Sequence, residues 1–386
     1  MPIFDCVISS PVTRTPRVMQ LEGMFELPPT LKSELRWTGE LPIESRPWSI
    51  GMIVGPSGSG KSTLTREMFG DKLISGYDWS PDRSIVDDFP ASMGIKQITA
   101  LLSQVGFSSP PSWLRPYRVL SNGEQFRVTL ARAMAENTDL FVMDEFTSVV
   151  DRTVAQIGSA ALAKAIRASD RRMIAVGVHY DVEPWLQPDW IYEPHTNRFQ
   201  WRELRCRPSI ELEIVRCDKA AWGLFHKHHY LDTKLHPASK CFAALYNGQP
   251  VAFTAVLHFP HAIAPRWREH RTVCLPDFQG VGIGNAMSDY VASLFRATGK
   301  PYSSVTSNPA MIRHRAKSKL WDMRERPKLQ PVIGKTTSVK GMTSATSRLT
   351  ASFDYKGAAR VEDAIKFGLI YGRQTPKTDR TEIDCG

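Results

Sequence analysis

The feature that most constrains this chain is the stretch SIGMIVGPSGSGKSTLTREMF, residues 49–69. Its apolar start is typical of a buried strand, its glycines of a tight turn, and the remainder of a helix. The turn meets the spacing G-x-x-x-x-G-K-[ST]. In that motif, bare N–H groups and a helix N-terminus surround phosphates, the lysine reaches the outer ones and the hydroxyl binds magnesium. We predict an α/β domain whose phosphate-binding residues are Gly55, Ser57, Gly58, Gly60, Lys61, Ser62 and Thr63.

A second motif supplies carboxylates. The stretch DLFVMDEF, residues 139–146, is typical of an apolar strand that ends at Asp144 and Glu145. A carboxylate at a strand tip is suited to holding Mg²⁺, and the next one along is suited to polarising an attacking water. We therefore expect Ser62 and Asp144 to hold Mg²⁺ together with the bound nucleotide, and Glu145 to act in hydrolysis.

The residues between these two motifs carry a specific resemblance. LSNGEQFRVTLARAM, residues 120–134, is similar to the signature motif and following helix of the ATP-binding cassette (ABC) family. By the same resemblance, Ser148–Asp151 is the D-loop and His179, in GVHYD, is the switch histidine. The resemblance implies that ATP is the nucleotide and that the chain forms a homodimer through its ABC domains. Ser121 and Gly123 of one subunit would then contact the γ-phosphate bound by the other.

Two departures from ABC transporters concern the region that meets membrane partners. Only 60 residues separate Lys61 from Ser121, and Asp87 and Asp88, ending the strand-like SIVDDF, or Gln97 stand near the place of a glutamine loop. The sequence also lacks an uninterrupted apolar run of the roughly 18 to 20 residues that a membrane helix needs. We therefore expect no membrane partner and no transport. The aromatic residues considered for stacking on adenine are Phe25, Trp37 and Trp48.

A second glycine-rich loop, DFQGVGIGNA, lies at residues 277–286. A dinucleotide-binding interpretation fails because Asn285 stands where the third glycine belongs and no acidic residue lies about 20 positions on. The loop instead resembles the Q/R-x-x-G-x-G/A pyrophosphate loop of the GNAT acetyltransferase family. Two strands (VAFTAVLHF and HRTVCLP) and a helix (NAMSDYVASLFRATG) are predicted around it, followed by a strand in PYSSVTSNP and a helix over AMIRHRAKSKLW. The resemblance implies acetyl-CoA or another acyl-CoA, bound by Gln279, Gly280, Val281, Gly282, Ile283, Gly284 and Asn285.

The second half also resembles a narrower group. FHKHHYL, PASKCFAALYNGQPVAF, HRTVCLPDFQGVGIGN and SNPAMIRHR are similar to segments of the GNAT-like domains of phage proteins related to the Mom DNA-modification enzyme. The likeness covers roughly residues 215–326, and RLTASFDYKG, residues 348–357, continues it as a strand. It implies a phage or prophage context and modification of a DNA base, which must leave the stack to reach a buried thioester.

Acyl transfer to an amine requires a neutral amine, a polarised thioester carbonyl and an acid for the leaving thiolate. The candidate catalytic residues of this half are His228, His229, Tyr230, Asp277 and His314, the last because GNAT enzymes keep a leaving-group acid near that place. Alternatives stay open. Tyr230 would also fit as an aromatic side chain of the core, and Asp277 as a carboxylate that caps a helix or stabilises the loop. A metal site is the alternative for His226, His228, His229 and His236.

Positive charge is concentrated in the second half of the chain. Residues 206–386 contain 27 Lys and Arg against 15 Asp and Glu, whereas residues 1–205 contain 22 against 24. A one-sided basic excess indicates a polyanionic partner, most often nucleic acid. A solvated surface helix without a partner would give the same pattern. The predicted nucleic-acid contacts are Arg313, Arg315, Lys317, Lys319, Arg324 and Arg326.

The predicted fold class is α/β and α+β. An ABC-type P-loop ATPase domain covers residues 1–205, a GNAT-fold mixed-sheet domain with a basic extension covers 206–372, and a polar tail covers 373–386. Scattered cysteines and the lack of a signal sequence predict a cytoplasmic protein. The leading hypothesis is an ATP-hydrolysing, acyl-CoA-dependent enzyme that modifies DNA. Its rivals are an acyltransferase for protein or tRNA regulated by the ATPase, and a DNA-bound ABC ATPase whose GNAT fold lacks catalysis.

Overall fold

The computed structural model describes residues 3–202, 208–229, 234–260, 264–329 and 349–371. These residues form two compact units. The first comprises Met1–Ser209 together with Pro276–Val281, and the second comprises Ile210–Leu275 together with Gly282–Gly386. Among the described helices, none combines the length and the apolarity that crossing a bilayer requires.

The first unit contains two sheets and helices on both faces of the larger one. Its strands are β1 (Ile3–Pro11), β2 (Lys32–Glu40), β3 (Ile50–Val54), β4 (Leu73–Ile74), β5 (Leu140–Met143), β6 (Arg172–Gly177), β7 (Trp190–Glu193) and β8 (Arg198–Trp201). Its helices are α1 (Pro16–Met24), α2 (Lys61–Phe69), α3 (Ile95–Gln104), α4 (Pro110–Trp113), α5 (Asn122–Glu136), α6 (Arg152–Arg167) and α7 (Glu183–Leu186). β1 and β2 pair with each other in an antiparallel hairpin that encloses α1 in sequence.

The larger sheet has the order β4-β5-β6-β3-β7-β8 and is parallel except where β8 joins β7. All five residues of β3 are buried, as expected of a parallel strand with a hydrophobic layer on each face. The predicted strand–turn–helix of the first motif is confirmed by β3 and α2. The strand expected at SIVDDF is wrong: Ile85–Asp88 forms a 3₁₀ turn, in which the Asp88 carboxylate accepts hydrogen bonds from the backbone and side chain of Ser80.

The second unit is built on a seven-stranded mixed sheet. Its strands are β9 (Glu213–Cys217), β10 (Lys240–Tyr246), β11 (Gln249–Phe259), β12 (Arg266–Cys274), β13 (Tyr302–Thr306), β14 (Trp321–Leu329) and β15 (Leu349–Tyr355). Its helices are α8 (Trp222–Phe225), α9 (Ile283–Arg296), α10 (Pro309–Lys317) and α11 (Val361–Lys366). The strand order is β14-β15-β13-β12-β11-β10-β9, and β12 with β13 is the parallel pair.

Helix α9 makes the crossover between the parallel strands β12 and β13, as a parallel connection requires. The strands and helices predicted from the sequence in this half are confirmed by β11, β12, α9, β13, α10 and β15. One boundary differs: the helix predicted to run through Trp321 ends at Lys317, and Trp321 begins β14. Trp321 packs its ring against Tyr355, which lies opposite it on β15, so pairing to that strand replaces a further helical turn.

A buried ion pair ties α10 to the sheet of the second unit. The Arg315 guanidinium is 1% exposed and lies 2.8 Å from the Glu269 carboxylate of β12. Ser288 of α9 and Ser304 of β13 donate to the same carboxylate. Burial alone would raise the pKa of Glu269, but Arg315 and the hydroxyl donors outweigh it and hold the pKa below its ordinary value. Arg315, predicted to contact nucleic acid, is therefore a buried structural residue and does not belong to the exposed basic surface.

The short segment Pro276–Val281 clusters with the first unit although its neighbours in sequence belong to the second. The Asp277 carboxylate lies against Gly123 at the start of α5, and its Oδ1 is buried without a hydrogen-bond partner among the described residues. Burial raises the pKa of Asp277; the nearby Arg127 charge opposes this rise, and Glu124 and Asp151 add to it.

Truncating Arg315 should destabilise the second unit strongly. Arg315→Ala leaves the Glu269 carboxylate buried without its cation, which typically costs about 3–5 kcal/mol of unfolding free energy. Arg313 lies on the same helix but is exposed, so Arg313→Ala should stay within about 0.5 kcal/mol of the parent. Urea unfolding followed by tryptophan fluorescence measures both, and equal small losses in the two variants would contradict a structural role for the pair.

Replacing Asp277 by asparagine should stabilise the fold in a pH-dependent way. Because the pKa of Asp277 is raised on folding, the stability that its protonated form contributes is present at low pH and lost as pH rises through the folded pKa. Asp277→Asn should therefore match the parent in Tm near about pH 4 and exceed it increasingly towards about pH 8. Asp170→Asn, at an exposed position, is the control. A Tm difference independent of pH would refute this account.

Candidate functional site

The glycine turn after β3 holds Lys61 in a buried position. Gly58 and Gly60 have positive φ angles of 78° and 83°, which side-chain-bearing residues rarely adopt, so the turn depends on glycine there. Lys61 is 8% exposed, and its Nζ donates to the carbonyl oxygens of Gly55 at 2.8 Å and Pro56 at 2.7 Å. Burial lowers the pKa of Lys61, and Asp144 opposes that shift. Ser57 and Gly58 form the exposed tip of the turn, and Thr63 lies in the first turn of α2.

The two predicted magnesium ligands are brought together. Ser62 Oγ lies 3.2 Å from Asp144 Oδ1, although 82 residues separate them in sequence. Both are oxygen donors on rigid elements, one at the start of α2 and one directly after β5. A hydroxyl beside a carboxylate is a donor set suited to Mg²⁺, which binds to few protein ligands and keeps the rest of its shell for phosphate and water.

Glu145 follows in a strained backbone position. Its φ is 50°, its N–H donates to Asp144 Oδ1 at 2.9 Å, and its side chain is exposed. Thr147, a β-branched residue, has a φ of 67°, an uncommon conformation that clusters at functional sites. His179 lies just beyond β6, the strand between β5 and β3 in the sheet. The carboxyl ends of three neighbouring strands therefore present the lysine, the carboxylates and the histidine at one edge of the sheet.

The signature motif forms the start of α5. Ser121 caps the helix by accepting from Glu124 N–H, while its own N–H donates to the Glu124 carboxylate, a capping box. Glu124 also accepts from Ser112, and Gly123 is buried. Asp151, in the predicted D-loop, caps α6. These contacts explain why the motif folds as it does, and the roles of Ser121 and Gly123 across a dimer stay predictions.

The side chains proposed for the glutamine loop and for adenine differ in their surroundings. Gln97 caps α3 by accepting from the Gly94 N–H. Phe25 is 63% exposed, and Trp48 packs edge-to-face on Trp190. The Trp37 indole lies directly against Gly60, so it is the aromatic candidate beside the phosphate turn.

The second glycine loop is divided between the two units. Gln279, Gly280 and Val281 cluster with the first unit, and Gly282, Ile283, Gly284 and Asn285 with the second. Gln279 Oε1 accepts from Ser108 N–H at 2.6 Å. Gly282 caps α9 with a φ of 101°, and a Cβ built on it meets no described atom within 4 Å. The helix N-terminus and its glycines can therefore accept an anion, while Gln279 is bonded within the first unit.

The predicted histidines lie close to one that sequence reasoning missed. His229 is 8% exposed and packs edge-to-face on Trp222 at 5.7 Å. His270 of β12 accepts from the His236 N–H, and burial, helped by Arg271 and His236, lowers its pKa to about 3. His270 is thus neutral at pH 7, and its Nε2 is occupied as the acceptor of the His236 N–H. The sequence feature that points to His270 is its position at the start of the predicted strand HRTVCLP. His228 ends the 3₁₀ turn before His229, and Tyr230 lies outside the described residues.

His314 and the basic residues lie on α10, on β14 and in the turn between them. His314 is exposed, with Nε2 3.9 Å from the Asp289 carboxylate. The exposed members of the predicted nucleic-acid set are Arg313, Lys317, Lys319, Arg324 and Arg326. Of these, Arg324 pairs with Asp354 at 3.7 Å. Within the described residues, no group of three or more His, Cys, Asp and Glu side chains is arranged to hold a metal ion.

Residues 199–313 match the acetyltransferase (GNAT) family. This match includes His228, His229 and His270, the glycine loop and α9. The mixed sheet of the second unit, with its parallel pair joined through α9, agrees with that assignment. The chain therefore has a GNAT acetyltransferase domain.

Comparison with known proteins also identifies relatives of the ATPase half. The manganese transport system ATP-binding protein MntB of Bacillus subtilis (strain 168) is 30% identical over 185 residues, which is 38% of this chain and 72% of that protein. An ABC transporter ATP-binding protein of Cyanophora paradoxa is 31% identical over 166 residues, covering 34% of this chain and 67% of the relative. The ribosome protection protein VmlR of Bacillus subtilis is 28% identical over 118 residues, 26% of this chain and 21% of that protein.

A solved structure of a dimeric bacterial ABC transporter cassette superposes with a TM-score of 0.33 at 17% identity, covering 41% of this chain and 87% of the cassette. The family assignment rests on the sequence relatives and on the motifs assembled at the edge of the sheet. The chain is an ATPase joined to an acyltransferase domain, and through its first half it belongs to the ABC family of ATP-binding proteins.

Proposed function

We propose that this protein is an ATP-hydrolysing, acyl-CoA-dependent enzyme that modifies nucleic acid, with a base in DNA as its first candidate substrate. The observation that carries the proposal is the pairing of two phosphate-binding turns of different kinds in one chain. The turn around Lys61 lies beside Ser62 and Asp144. The turn at Gly282 opens onto the N-terminus of α9 in a GNAT domain.

For the ATPase reaction, Lys61 would bind the outer phosphates and Glu145 would orient and polarise the attacking water. Ser62 and Asp144 would hold Mg²⁺, which when bound neutralises phosphate charge. The exposed Ser121 end of α5 would complete the site of a second copy of the chain, so that two ATP molecules lie between two subunits. His179, beyond β6, would contact the γ-phosphate.

For acyl transfer, Gly282, Gly284 and the N–H groups of the first turn of α9 would bind the pyrophosphate of acetyl-CoA or another acyl-CoA. The acceptor nitrogen forms a bond to the thioester carbonyl carbon while the C–S bond breaks. One proton leaves the nitrogen, and the departing thiolate takes up another. His229 and His228 are the candidates to accept the first proton, and His314 is the candidate donor of the second.

The nucleic-acid substrate is supported by the exposed cations of α10 and β14. Arg313 and Lys317 lie on α10, Lys319 lies in the turn that follows and Arg326 lies on β14, and all four are exposed. Phosphate contacts of this kind bind without regard to sequence and weaken as salt rises. The resemblance to Mom-related phage proteins favours DNA over tRNA or protein.

Glu145→Gln should trap an ATP-bound dimer. The substitution keeps the size of the side chain but removes the charge that polarises water, so ATP binds without being hydrolysed. We expect size-exclusion chromatography with light scattering to report a dimer in saturating ATP and a smaller species without it. Lys61→Ala is the control, because it should stay monomeric in both conditions. A Glu145→Gln protein that is monomeric in saturating ATP would refute the proposed arrangement.

Cells that express the protein should carry a modified nucleoside. Mass spectrometry of nucleosides from their DNA is expected to show a base heavier by the transferred acyl group. Gly284→Glu, which places a carboxylate where the pyrophosphate would bind, should abolish that signal, and the exposed Asp170→Asn should retain it. Unmodified DNA beside an acylated tRNA or protein would replace DNA with that acceptor, and no acylated product at all would leave a nucleic-acid-bound ABC ATPase.

A further inference from the structure

Within the first unit, the segment Pro276–Val281 lies against α5 and α6. In sequence the same segment joins β12 to α9, and Gly282, the next residue, caps α9. One short stretch of chain is therefore packed into the ATPase unit and covalently continuous with the predicted acyl-CoA site. Because the segment packs on α5 and α6 and continues into α9, it is the place at which the ATP site and the predicted acyl-CoA site can influence each other.

Arg127 of α5 holds this segment by its backbone. The side chain is fully buried, and its Nη2 donates to the Asp277 carbonyl at 2.6 Å while Nη1 donates to the Gln279 carbonyl at 3.2 Å. The same Nη1 lies 3.1 Å from the Val105 carbonyl and 3.2 Å from that of Gly106. The planar guanidinium thus bridges two stretches of backbone, which a lysine cannot do with the same geometry.

The fit of the segment leaves no room for a larger side chain. Gly280 has a φ of 89°, and a Cβ built on it would lie 2.7 Å from Ala161 Cβ and 2.7 Å from Gly106 Cα. A Cβ on Gly106 would in turn lie 2.5 Å from the Gln279 carbonyl oxygen. Ser108 N–H donates to Gln279 Oε1 at 2.6 Å. Close backbone packing of this kind transmits displacement because it cannot deform freely.

The signature motif is in direct contact with the segment. Gly123 lies against the Asp277 carboxylate. Arg127 is six residues after Ser121 on the same helix, about 9 Å along its axis. Any shift of α5 that accompanies ATP binding at Ser121 therefore reaches the backbone of Asp277 and Gln279 through a single rigid element.

We propose that Arg127 is a positioning residue for the acyl-CoA loop, and that through it ATP binding and acyl-CoA binding are thermodynamically coupled. The inference rests on the proposed function, since it needs both ligands to bind. Coupling between two sites is reciprocal, so ATP must change the affinity for acyl-CoA by the same factor by which acyl-CoA changes the affinity for ATP. A factor of about 5 or more is expected of such a contact.

The experiment measures both affinities in the Glu145→Gln background, where ATP is not consumed. Calorimetry gives the Kd of acetyl-CoA with and without saturating ATP, and the Kd of ATP with and without saturating acetyl-CoA. The expected result is that saturating ATP changes the Kd of acetyl-CoA about 5-fold or more. Saturating acetyl-CoA should change the Kd of ATP by the same factor within error. Because only the unaltered loop is needed, this part does not depend on whether a loop variant folds.

Two variants test the contact itself. Arg127→Lys keeps the charge but loses the planar fork of donors, and Gly106→Ala places a Cβ 2.5 Å from the Gln279 carbonyl oxygen. In both variants, the ratio of the Kd values measured without and with the other ligand is expected to move towards 1, while each ligand still binds. The matched controls are Arg132→Lys, on the same helix but bonded to Glu136, and Gly299→Ala, which has a φ of 77° and open space around its Cβ position. Both controls should keep the parental ratio, and Tm values confirm that the variants are folded.

The outcomes separate the inference from the function on which it rests. If acetyl-CoA and ATP both bind with a ratio of 1 in the unaltered loop, the coupling is refuted and the proposed function stands. If acetyl-CoA fails to bind with or without ATP, the proposed function and the inference are both refuted. If the ratio is large but survives in Arg127→Lys and Gly106→Ala alike, the sites are coupled by another route and Arg127 is not the positioning residue.

Discussion

The hydrogen bonds of the buried Arg127 guanidinium hold the segment Pro276–Val281 within the first unit. A cation with no exposure to water must satisfy its donors inside the protein, and Arg127 directs them to carbonyl oxygens from two stretches of backbone. One of those stretches is Asp277–Gln279, which is far from α5 in sequence. Asp277–Gln279 are consequently held within the first unit, and Gly282, in the second unit, caps α9.

The ATP site depends on a different constraint, the order of strands in a parallel sheet. β6 lies between β5 and β3, so residues that follow three separate strands meet at one edge. This strand order and the turn after β3 bring Ser62 Oγ within 3.2 Å of Asp144 Oδ1. The strained φ angles of Glu145 and Thr147 occur where β5 ends, which is where the backbone must turn sharply to present the carboxylates.

Local motifs were predicted well because their chemistry is local. The turn around Gly60, the strand ending at Asp144 and the helix after Gly282 each follow from short-range rules on glycine, apolar runs and capping. The error at SIVDDF arose because three apolar or β-branched residues favour a strand, whereas Ser80 and Asp88 form a turn by hydrogen bonds that no periodicity reveals. Likewise, charge alone placed Arg315 on the surface, since its partner Glu269 lies 46 residues away in sequence.

The sequence by itself determined the two phosphate-binding turns, the order of the ABC motifs and the concentration of positive charge in the second half. These are properties of neighbouring residues and of composition, so they survive without knowledge of the fold. Only the tertiary structure decided that His270 is half-buried and neutral, that Arg315 is structural, and that residues 276–281 pack in the ATPase unit. Each of these depends on burial and on partners distant in sequence, because desolvation and hydrogen bonding act between residues that folding alone brings together.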